Sequence, residues 1–195
     1  MSEYRFTDGN LLVLYAIHKS KPEAADGELP DYIKERIKVG LETYGMIMRS
    51  RPDKHKIMVM IVGASEPAEK VKQELVKGGI RDEIIAIDTD SQNMAQTISR
   101  MADMIKAKPN PPFIYFIGSV WLHDIFKSTV VARLKGYKVQ FYGALDHRPV
   151  DEVEREKALD VPKKSIENYK QQTKNKAVDM PVSYTHLTLP TIYSV

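Results

Sequence analysis

The sequence predicts an α/β fold, a doubly wound, Rossmann-like parallel sheet of about five strands with helices on both faces. Three observations predict it. Short apolar runs alternate with amphipathic segments from Leu11 to Tyr142. Most of these runs are continuously apolar, as strands covered on both faces are. Three of them end in a small polar turn that opens a helix: Val62-Gly63-Ala64-Ser65-Glu66, Asp88-Thr89-Asp90-Ser91-Gln92-Asn93, and Ile117-Gly118-Ser119 running on to Trp121-Leu122-His123. Right-handed crossovers place such turns together at the carboxyl rim of the sheet, where open α/β folds bind ligands.

Leu11 to Ile17 is the first strand, followed by a polar loop from His18 to Glu28. Pro30 suits the first turn of a helix, and Ile33, Ile37, Leu41 and Tyr44 repeat at its three- and four-residue spacing. Ile57 to Val62 is the second strand. Ser65 can cap the next helix, Ala68, Val71 and Leu75 form its stripe, and Gly78-Gly79 supplies a left-handed stop. Ile84 to Ile87 is the third strand. Asp90 or Ser91 caps a helix with the stripe Met94, Ile98, Met101 and Ile105, ended by Pro109. Phe113 to Ile117, a helix from Leu122 to Leu134 stopped at Gly136, and a fifth strand from Lys138 to Tyr142 complete the series.

Composition narrows the function. A net charge of +3, from 29 basic and 26 acidic residues, is too balanced for a nucleic-acid binder, and the basic stretch Arg49, Arg51, Lys54 and Lys56 has no interleaved aromatics. The absence of cysteine removes disulfides, thiolate metal sites and cysteine nucleophiles, and the histidines lack the spacing that preforms a metal site. No run reaches bilayer-spanning length, so no membrane partner is expected and the cytoplasm is the expected location. Neither G-x-G-x-x-G nor a Walker loop occurs. Ser119, His123 and Asp146 offer the residue types of a hydrolytic triad, without a G-x-S-x-G elbow.

Residues 1–150 are read as the α/β domain and 151–181 as a charged helical extension interrupted at Pro162. Residues 182–195, beginning Val182-Ser183-Tyr184-Thr185-His186-Leu187, resemble a translated transposase sequencing adaptor. On that reading they form a non-native tail, and the natural protein is truncated near Met180 or Pro181.

Several local patterns converge on one family. They are Asp26-Gly27-Glu28-Leu29-Pro30 leading to Glu35-Arg36 and Leu41-Glu42-Thr43-Tyr44, then Gly63-Ala64-Ser65-Glu66, then Gly79-Ile80 with Ile84 to Asp88, then Ser91-Gln92-Asn93-Met94-Ala95-Gln96-Thr97, and finally Gly118-Ser119 with His123. Together these resemble the YdcF-like and SanA-like family, domain of unknown function 218, over roughly Asn10 to Arg148. The family's Ser-x-Asn-Thr-x-Glu-Asn start is altered here to Met94, Gln96 and Thr97, and one extra residue separates Ser119 from His123. The resemblance implies a Rossmann-like fold and, as ligand or cofactor, S-adenosylmethionine or a nucleotide, with envelope-related roles. It extends ligand contact to Glu66 and Gln96.

The expected ligand-binding residues are therefore Ser65, Glu66, Ser91, Asn93, Gln96, Ser119 and Arg148, with His123 as the catalytic candidate. Helix N-termini at a common rim favour an anion, and Arg148 can hold one in bidentate fashion. Each residue also has a plainer role: Ser65, Ser91 and Asn93 suit helix caps, and His123 suits an exposed first turn. Two functions follow. One is a protein binding a small anionic metabolite or nucleotide-type ligand at the rim, with hydrolysis or group transfer as its chemistry if it is an enzyme. The other is a non-catalytic Rossmann-like interaction module.

Overall fold

A parallel sheet in the order β3-β2-β1-β4-β5 organises the chain. A computed structural model describes residues 9–17, 28–50, 57–106 and 113–160, with the side chains of Lys106, Leu159 and Asp160 left out. The loop with His18 and Lys19, the basic stretch from Arg51 to Lys56, Pro109 and Pro162 lie outside the described residues. The chain divides after Val161, so the described residues belong to its first unit, and the expected tail, residues 182–195, lies outside them.

The strands are β1 (Asn10–Tyr15), β2 (Ile57–Val62), β3 (Ile85–Asp88), β4 (Phe113–Ser119) and β5 (Val139–Ala144). The helices are α1 (Asp31–Ser50), α2 (Ser65–Lys77), α3 (Met94–Lys106), α4 (His123–Arg133) and α5 (Val150–Asp160). Every pairing is parallel, which is the doubly wound arrangement that the continuous apolar runs predict. Leu11, Val13 and Tyr15 of β1 face a core closed by α3 and α4, whereas Leu12 and Leu14 face one closed by α1 and α2. The period-two alternation is present but hidden, because both faces are apolar.

The helix stripes pack as their spacing dictates. Ala68, Val71 and Leu75 of α2 and Met94, Ile98, Met101 and Ile105 of α3 are all buried. Helix α2 stops where Gly79 takes φ +95, with Gly79 N–H bonded to the Val76 carbonyl and Ile80 N–H to that of Leu75. That pairing is a Schellman stop, and Ile80 and Leu75 share one core cluster.

Two expected caps fall elsewhere. Ala64, not Ser65, is the N-cap of α2, and it supplies no side-chain acceptor. Asn93, rather than Asp90 or Ser91, caps α3, its Oδ1 accepting the Gln96 N–H at 2.9 Å. Among the described residues no helix is long and apolar enough to cross a membrane.

The topology has one switch point. Strands β1 and β4 remain paired only to Leu14 and Ile117, while β1 stays with β2 to Tyr15 and β4 with β5 to Ser119. Beyond that register β1 and β4 are no longer paired, the place in a doubly wound sheet at which ligands are taken.

Candidate functional site

A buried arginine occupies the switch point. Helix α1 crosses β1 and β4 with Tyr32, Ile33, Arg36, Ile37 and Gly40 on its buried face, so the helical repeat itself drives Arg36 into the core. Its Nη1 donates to the Tyr15 carbonyl at 2.7 Å and to that of Ile17 at 3.5 Å. Nε and Nη2 both donate to Ser119 Oγ, at 3.1 and 2.8 Å. These bonds satisfy backbone acceptors at the end of β1, where pairing with β4 has stopped. Burial pushes the Arg36 pKa down from its ordinary value, and Glu156 is the first of the charges that counter the shift, followed by Tyr32 and Asp146.

Ser119 passes the connection on. Its hydroxyl donates to Asp146 Oδ2 at 2.9 Å, and the indole N–H of Trp121 donates to the same oxygen at 2.9 Å. Arg148 grips Asp146 with two parallel bonds, Nε to Oδ1 at 2.9 Å and Nη2 to Oδ2 at 2.8 Å, and its backbone N–H also reaches Oδ1. The remaining edge of Arg148, Nη1, bonds Glu156 Oε2 from α5. The Arg148 guanidinium lies 3.7 Å from the centroid of the Tyr32 ring, and that of Arg36 lies 5.3 Å from it. Burial alone would raise the Asp146 pKa, but hydrogen bonds from Arg148, Trp121 and Ser119 outweigh it and hold the carboxyl well below the usual range. Arg148 is driven the other way: burial lowers its pKa, and Asp146 and Glu156 more than restore it. Two arginines face two carboxylates, so the charges of the cluster balance, and removing Arg36 would leave buried carboxylate charge uncompensated.

The sequence-predicted residues separate into four groups. Ser119 and Arg148 meet through Asp146 as described. Ser91, Asn93 and Gln96 form the β3-α3 turn: Ser91 Oγ donates to the buried Asp88 carboxylate at 2.5 Å, Asn93 caps, and Gln96 Oε1 accepts the Gln92 N–H at 2.7 Å. Ser65 and Glu66 lie exposed in the first turn of α2, where Lys70 holds the Glu66 carboxylate at 2.7 Å and draws its pKa down. His123 opens α4 half-exposed, its ring edge-on to Phe141 of β5 at 5.4 Å and Nδ1 3.4 Å from Asp124.

Convergence of all these side chains on one hollow is therefore not what the contacts give. Ser91 is bonded to edge strand β3 and His123 packs on the opposite edge strand, β5. Four strand spacings separate those edges, roughly 19 Å. The triad of Ser119, His123 and Asp146 is not assembled either, because Ser119 donates directly to Asp146 while His123 faces Asp124 and Phe141. A carboxylate held that far below its usual range is a weak base, so the Ser119-Asp146 pair orients and does not activate.

Two charged members of the network are absent from the site that the sequence predicts. Arg36 had a signal, a charge inside an apolar stripe between Ile33 and Ile37. Glu156 had none, because α5 offers no apolar frame against which a buried carboxylate would stand out. Among the described residues no group of three histidines or carboxylates is arranged to hold a metal ion.

At the rim, the first turn of α2 is exposed. Gly63 N–H bonds the Asp88 carbonyl at 3.1 Å, and a Cβ at Gly63 would meet the Ala16 carbonyl oxygen at 3.1 Å, so the turn lies directly against the exit of β1. The first turn that follows has Ala64 as its cap and Pro67 within it. Comparison of the chain with protein-family models, curated proteins and solved structures gives no match.

Proposed function

We propose that the chain is a YdcF-like cytoplasmic protein that binds a small anionic metabolite or nucleotide-type ligand at the carboxyl rim, beside the switch point. The observation that carries this reading is the first turn of α2. Its cap, Ala64, is among the poorest residues for that position, costing about 1 kcal/mol against Ser or Asp. Glu66 is drawn along the helix toward Lys70 instead of back over the turn. The exposed turn presents backbone N–H groups and the positive end of the helix dipole to the rim, which suits a phosphate or carboxylate. Ser65 adds a hydroxyl there. S-adenosylmethionine and nucleotides are the ligand classes that the family resemblance suggests.

Binding fits this geometry better than hydrolysis or group transfer, since Ser119 is engaged by Arg36 and Asp146 and His123 stands toward the β5 edge. The second reading, a non-catalytic interaction module, is favoured by one observation: Ser91, Asn93 and Gln96 direct their hydrogen bonds into their own turn.

A thermal-shift screen with nucleotides, sugar phosphates and S-adenosylmethionine separates the two. A ligand at one hundred times its Kd adds about 2.7 kcal/mol, or roughly 5–10 °C in Tm for a domain of this size. The rim reading expects such a rise, lost in Ala64→Asp because the new carboxylate occupies the same N–H groups. No rise with any of these ligands supports the interaction module instead.

A further inference from the structure

Helix α5 is held to the domain in an unusual way. Among its described side chains Glu156 is the buried one, 4 % exposed, whereas Asp151, Glu154, Arg155 and Ala158 face solvent and Val150 is 76 % exposed. Most surface helices dock through an apolar stripe. Here Glu152, Val153 and Lys157 are half-buried, and the one fully buried side chain described is a carboxylate set against Arg148, an interaction whose attraction is largely cancelled by desolvation.

The receiving site is organised without that carboxylate. Asp146 fixes Arg148 with two bonds, the Tyr32 ring backs its guanidinium, and Arg36 is anchored by Tyr15, Ile17 and Ser119. Arg36 bonds neutral groups only among the described residues, and Glu156 is the leading charge that counters its burial. Removing Glu156 would leave two guanidinium groups against the single carboxylate of Asp146. The net charge would be +1, with the Nη1 edge of Arg148 open.

We propose that α5 is a displaceable latch whose Glu156 carboxylate holds the place of an oxyanion, and that a ligand bearing a phosphate or carboxylate takes the Arg148 edge when α5 leaves it. A guanidinium edge recognises either group through charge-assisted bonds, and the buried Arg36 behind it supplies a second positive charge. The ligand shifts α5 outward because it competes with Glu156 for the same donors, which is the differential interaction that a population shift requires. This site is distinct from the first turn of α2 and does not depend on it.

Hydrogen exchange of the α5 amides in the full chain tests the latch, with inorganic phosphate or acetate added against sodium chloride of equal ionic strength. Phosphate, acetate or both should lower α5 protection while leaving the sheet protected, and chloride should not. The responding anion identifies the ligand chemistry. Glu156→Gln should lose α5 protection without added anion and bind the responding anion about tenfold more tightly by calorimetry. Arg148→Gln should abolish the anion effect. If Glu156→Gln loses sheet protection and so fails to fold, the wild-type titration decides alone. Unchanged α5 protection in both anions, or an equal response to chloride, overturns the proposal, as does a folded Glu156→Gln that binds no more tightly than wild type.

Discussion

Arg36 and Asp146 are joined through a single hydroxyl: Ser119 Oγ accepts from Arg36 Nη2 at 2.8 Å and donates to Asp146 Oδ2 at 2.9 Å. The serine thus couples a helix under the sheet to the loop after β5, across the point where β1 and β4 separate. Ser119→Ala removes the acceptor for two Arg36 N–H groups and one donor to Asp146. It should cost about 1–3 kcal/mol in urea unfolding, the penalty for leaving buried polar groups unsatisfied. A cost below half a kcal/mol would mean that the hydroxyl is dispensable to the network.

Arg36→Met leaves two buried carboxylates facing one arginine. The expected destabilisation is about 3–5 kcal/mol. Adding Glu156→Gln restores charge balance and should recover part of that loss, a coupling readable in a double-mutant cycle. Strict additivity of the two substitutions would show that Glu156 does not counter the Arg36 charge.

Acid should unfold the protein partly through Asp146. Its folded pKa lies below the unfolded value of about 3.9, so its contribution is fully present above that value and is lost as pH falls toward the folded pKa. Asp146→Asn should therefore be markedly less stable than wild type at pH 7, with the gap narrowing between about pH 5 and pH 2. A gap that stays constant over that range would contradict the shift.

Helix caps provide a contrast within one molecule. Asn93→Ala should destabilise by about 1 kcal/mol, because Asn93 Oδ1 bonds the Gln96 N–H. Ala64→Asp should stabilise the ligand-free protein by about the same amount, since α2 has no side-chain acceptor to lose. Chemical denaturation of both variants checks the pair, and a destabilising Ala64→Asp would indicate that the turn is already closed by another group.

The sheet is readable because most strands are continuous apolar runs, and the helices because Met94, Ile98, Met101 and Ile105, for instance, keep one face. Caps were less legible. Asp90, Ser91 and Asn93 are all good caps, and the choice falls to Asn93 because Ser91 is drawn to Asp88 while Met94 enters the core. At α2 Gly63 is set by the close approach to Ala16, and the helix begins directly after Ala64, which places Ser65 inside it. The site was legible only in its members. Ser119 and Arg148 were singled out, but their meeting at Asp146 depends on the β4-β5 register that brings Ser119 opposite Ala144, a long-range pairing without a local sequence signature. His123 starts a helix at the rim and so points to the same site in the sequence, whereas its ring packs edge-on to Phe141.

The reading of the rim as an anion site is tested most directly by following backbone amide resonances during a titration with inorganic phosphate. Saturable shifts are expected at Ser65 and Glu66 N–H in wild type, and they should vanish in Ala64→Asp. Titration that leaves those two amides unmoved in the wild-type protein would contradict it.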